Sequence, residues 1–94
     1  MSAPADVRLI QLARMLALEP HPLDHATARR ALQARPGDFA SAIFHEAADS
    51  DDVTSADSAR AYLEDRLGFF GELLDGTVRE QVRAAFEERL SAWE

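Results

Sequence analysis

The residues best placed to do chemistry are His45, Glu46 and Asp49. In the string His45-Glu-Ala-Ala-Asp49 the first and last residues are four apart, so a helix would set them one turn apart on one face. An imidazole and a carboxylate there could hold a metal ion, and Glu46 could serve as general base in a metal-assisted hydrolysis. A small metal-dependent enzyme or metal-binding protein using His45, Glu46 and Asp49 is therefore the alternative function for this chain. Such a site needs a third ligand, and the chain contains no cysteine to supply one. Asp49 also falls where the helical pattern ends. The expectation is a protein with no catalytic residue, no bound metal and no cofactor.

Other patterns fail on specific residues. The His45 string resembles the H-E-x-x-H helix of zinc proteases, with Asp49 in place of the second histidine. Asp49, Asp51 and Asp52 are spaced like the start of a calcium loop. That loop would need an oxygen ligand, a glycine and a glutamate where Val53, Thr54 and Arg60 stand. Asp49-Ser50 resembles the attachment site of acyl carriers, except that Asp51 replaces the hydrophobic residue after the serine. His21 and His25 are separated by Pro22 and the candidate cap Asp24, so they do not share a regular helix face. The four glycines form no phosphate-cradling loop.

Gly68-Phe-Phe-Gly-Glu-Leu-Leu-Asp75 is different in kind. It crowds Phe69, Phe70, Leu73 and Leu74 between acids, with Glu72 inside the run and Glu64, Asp65 and Asp75 around it. A chain of 94 residues builds one small core, and apolar side chains left outside it form a patch of the sort that partners occupy. The expected partner surface combines Phe69, Phe70, Glu72, Leu73 and Leu74 with Asp51 and Asp52 of the nearby acidic loop. The competing reading has the same rings and leucines closing one end of the core.

Charge narrows the partner. The formal net charge is −7, and all of it falls in residues 49–94, where twelve acids face five arginines. Such a surface repels phosphate backbones and anionic lipid, so nucleic acid and membrane are excluded as partners. A protein with a basic surface remains, and homodimerisation through the same patch is the variant. The longest apolar stretch, Val7 to Leu18, is interrupted by Arg8, Gln11 and Arg14 and is too short to span a bilayer. The expected location is the cytoplasm. All ten basic residues are arginine, a bacterial-like composition that reflects GC-rich coding.

The elements that must position these residues are helices. Alanine occurs 18 times and leucine 11 times, while Val, Ile and Thr total nine and are scattered. Periodicity predicts a first helix over 4–18, with Val7, Ile10, Ala13 and Ala17 as its buried stripe, widened by Leu9, Leu12 and Leu16. A second runs from Asp24, its cap, to Gln33 or Ala34, with a start at Pro22 as the alternative. A third spans 38–48 with Asp38 as cap, and Phe39, Ala42, Ile43 and Ala47 inside. A fourth begins after Thr54 or Ser55, buries Ala56, Ala59, Leu63 and Leu67, and stops at Gly68. A turn over 70–75 follows. Thr77-Val-Arg-Glu80 reads as a capping box for a last helix over 78–92. The fold class is all-α, a bundle of about five helices plus one short helical turn in a single domain, 1–94. Its short helices resemble death-fold adaptors only as a topological analogy. The leading function is protein–protein interaction, as an adaptor, regulator, assembly subunit or inhibitor of the immunity type.

Overall fold

Alanine-rich, amphipathic segments punctuated by capping residues and prolines make five helices in the computed structural model, which describes residues 7–18 and 24–93. They are α1 (Val7–Leu16), α2 (His25–Ala34), α3 (Pro36–Ala48), α4 (Ala56–Phe70) and α5 (Gly76–Trp93), with one 3-10 turn at Gly71–Leu73 between the last two. No strand occurs among the described residues. The protein is an all-α bundle. The expected start of α1 at residue 4 and the alternative start of α2 at Pro22 lie outside the described residues.

Local chemistry sets the boundaries. α1 ends because Ala17 turns left-handed, at φ 54°, and the Leu18 N–H then donates to the Ala13 carbonyl at 2.7 Å. Asp24 caps α2 by accepting from the Thr27 N–H. Pro36 forces Arg35 out of helical geometry, which ends α2, yet the proline's fixed φ suits a first helical position. α3 therefore begins at once, two residues before the expected start. Asp38 is not its cap; it lies inside the first turn and takes a 2.8 Å hydrogen bond from Arg35 Nε. Arg35 also donates to the Leu16 carbonyl at 2.8 Å, which ties the end of α1 to the α2–α3 corner.

Ser55 caps α4, with Ser58 completing a reciprocal capping box. Gly68 does not stop this helix. It is an exposed interior residue, and α4 runs on to Phe70. The stop is Gly71, at φ 51° and ψ −118°, a conformation that side-chain-bearing residues avoid. The cap of α5 is likewise not Thr77. The Asp75 carboxylate accepts from the Val78 N–H at 2.8 Å, and Gly76 already lies in the helix.

Packing centres on α3, which lies against α5 most extensively, then α4 and α1. One hydrophobic cluster draws on all five helices and the 3-10 turn. Phe39 meets Phe70 edge-on at 5.1 Å between centroids, and Phe44 meets Phe86 at 5.7 Å. α4 and α5 run antiparallel. Polar rungs join them at Arg60–Glu87, Glu64–Arg83 and the Leu67 carbonyl–Arg79.

Candidate protein-interaction surface

Six of the seven expected partner residues are placed by two elements, the end of α4 and the 3-10 turn, or by the loop that precedes α4. Phe70, Leu73 and Leu74 are not surface residues. They are 0%, 1% and 3% exposed and belong to the core cluster. The physical reason is the continuation of α4 by two residues: Phe70 then falls on the same stripe as Ala59, Leu63 and Leu67. The 3-10 turn folds Leu73 and Leu74 inward behind it. These three side chains close one end of the core and cannot anchor a partner.

Phe69 is left outside, 37% exposed, with exposed Glu72 and Asp65 near it on α4 and the turn. Asp51 and Asp52 are exposed as well, but they precede the first residue of a 15-residue helix whose last residue is Phe70. About 22 Å of helix separates them from the aromatic end. The expected surface is thus two places: an acidic loop at one end of α4, and Phe69 with Glu72 at the other.

α1 supplies what sequence reasoning missed. Its buried side is Leu12, Ala13 and Leu16, whereas Val7 and Ile10 are 56% and 40% exposed. Of the expected stripe, Ala13 is buried, as are Leu12 and Leu16 of its widening, but Val7, Ile10 and Ala17 are turned toward solvent. A helix apolar on nearly every side cannot bury them all in a core this small, and that excess was the available signal. Val7, Ile10 and Phe69 are the exposed large hydrophobic residues among those described.

Side-chain contacts tie α1 to the end of α4. Arg8 donates to the Phe70 carbonyl at 3.5 Å and lies 3.6 Å from the Glu72 carboxylate. Arg66 donates to the Gln11 amide oxygen, and Gln11 is one turn from Val7. The Arg66 guanidinium stacks 4.8 Å from the centre of the Phe69 ring and 5.4 Å from that of Phe70. Its Nε lies 3.6 Å from the Glu46 carboxylate, which also accepts from the Tyr62 hydroxyl at 3.2 Å. Burial, and then the Glu46 charge, raise the Tyr62 hydroxyl above its ordinary value. Arg66 is thus a part-buried hub that joins α1, α3 and the aromatic end of α4.

The metal arrangement does not assemble. His45 is exposed, Glu46 is turned to Tyr62 and Arg66, and Asp49 closes the end of α3, its N–H donating to the His45 carbonyl. Among the described residues no three His, Cys, Asp or Glu side chains cluster as a metal would require. A second surface feature is a groove of about 400 Å³ between α4 and α5, lined by Leu63, Ala84 and the charged rungs. Both signs of charge there are spent on each other. No described helix is long and apolar enough to cross a membrane. The chain matches no family model, no curated protein and no solved structure.

Proposed function

We propose that this chain works by binding protein, as an adaptor, regulator, assembly subunit or inhibitor, and that it docks through the edge where α1 meets the end of α4. One observation carries the reading: among the described residues the exposed large hydrophobics, Val7, Ile10 and Phe69, lie on α1 and at the end of α4, which Arg8 and Arg66 tie together. Apolar side chains gathered on one edge mark contact surfaces far more than scattered ones do. Asp65 and Glu72 beside Phe69 favour a partner that brings an apolar surface flanked by basic groups. The net charge of −7 turns the chain away from nucleic acid and anionic lipid, and the cytoplasm is the compartment this reading assigns.

The test compares the tagged chain with its Phe69→Asp variant in native extract, with captured proteins measured by quantitative mass spectrometry. Phe69 lies outside the core, so the variant keeps its helical circular dichroism. The expected result is a partner, or an untagged copy of the chain, held by the parent and reduced about tenfold or more by the variant, as for the loss of an aromatic anchor. Identical capture by both proteins overturns the reading.

A further inference from the structure

We draw no further inference here: the strongest candidate, the exposed apolar patch of Val7 and Ile10 on α1 and Phe69 at the end of α4, belongs to the surface already described, and nothing in the structure shows what covers it.

Discussion

Asp75 joins two helices through one carboxylate. One oxygen accepts from the Val78 N–H at 2.8 Å and the other from the Gln33 amide at 3.3 Å, so the start of α5 is tied to α2. The Val78 N–H, more than any other cause, holds this carboxyl below its ordinary value. Asp75→Ala should lower the melting temperature by about 4–8 °C, the effect of losing one helix cap in a domain of this size. Thr77→Ala should change it by no more than a degree or two, since Thr77 is exposed and caps nothing. Thermal denaturation followed by circular dichroism measures both, and equal losses would restore Thr77 as the cap. The sequence pattern at Thr77 and Glu80 meets the capping-box rule as well as any in the chain. A short side chain two residues earlier reached the same free N–H groups first, and local spacing alone does not rank two such candidates.

At the scale of elements, α4 and α5 are held by charge on one side and by the core on the other. The rungs Arg60–Glu87 and Arg83–Glu64 are both two-point contacts, with distances of 2.7 and 3.1 Å in the first and 3.0 and 2.8 Å in the second. Spacing along α5 also allows Glu80–Arg83 and Arg83–Glu87 pairs. The first forms, but Arg83 turns to α4 for its other contact, and Glu87 takes Arg60. Pairing across helices depends on tertiary placement, which no local pattern contains. The hydrogen bond from Arg83 lowers the Glu64 carboxyl below its ordinary value, and the one from Arg60 does the same for Glu87. Depressed carboxylates stabilise the fold fully above the pKa of the unfolded chain and lose that contribution as pH falls through the folded value. Denaturation measured between neutral pH and about pH 3 should therefore show a flatter acid limb for the Glu64→Gln, Glu87→Gln double variant than for the parent. High salt should flatten the parent's limb in the same direction. An unchanged acid limb would show that the rungs carry no net stability. Helix number and type were legible because alanine and leucine repeat at helical spacing. The exposed side of α1 was not legible, because its two overlapping apolar stripes compete for one core and only packing chooses between them.

Across the whole molecule the same limited core decides which of two adjacent aromatic rings is structural and which faces out. Phe70 is fully buried against Phe39, while Phe69, stacked at right angles to it at 5.1 Å, is 37% exposed. The run Gly68-Phe-Phe-Gly71 holds both rings with nothing to distinguish them locally. The register of α4 distinguishes them: Gly71, not Gly68, stops the helix, and 100° of rotation per residue puts the second ring inside and the first out. A chain of 94 residues has a total stability of roughly 5–14 kcal/mol. Removing a fully buried phenylalanine costs about 3–5 kcal/mol, because the transfer loss is joined by the cavity left behind. Phe70→Ala should therefore bring the protein close to its unfolding threshold, with a much lower midpoint in urea and one cooperative transition for the single core. Phe69→Ala should cost less, about 1–2 kcal/mol, since its ring is 37% exposed and packs on Phe70 and Arg66 at the surface of the core. Urea denaturation of the two variants side by side separates these roles. Equal midpoints would mean that α4 stops earlier than Gly71, and the edge formed by Val7, Ile10 and Phe69 would then lose its aromatic anchor.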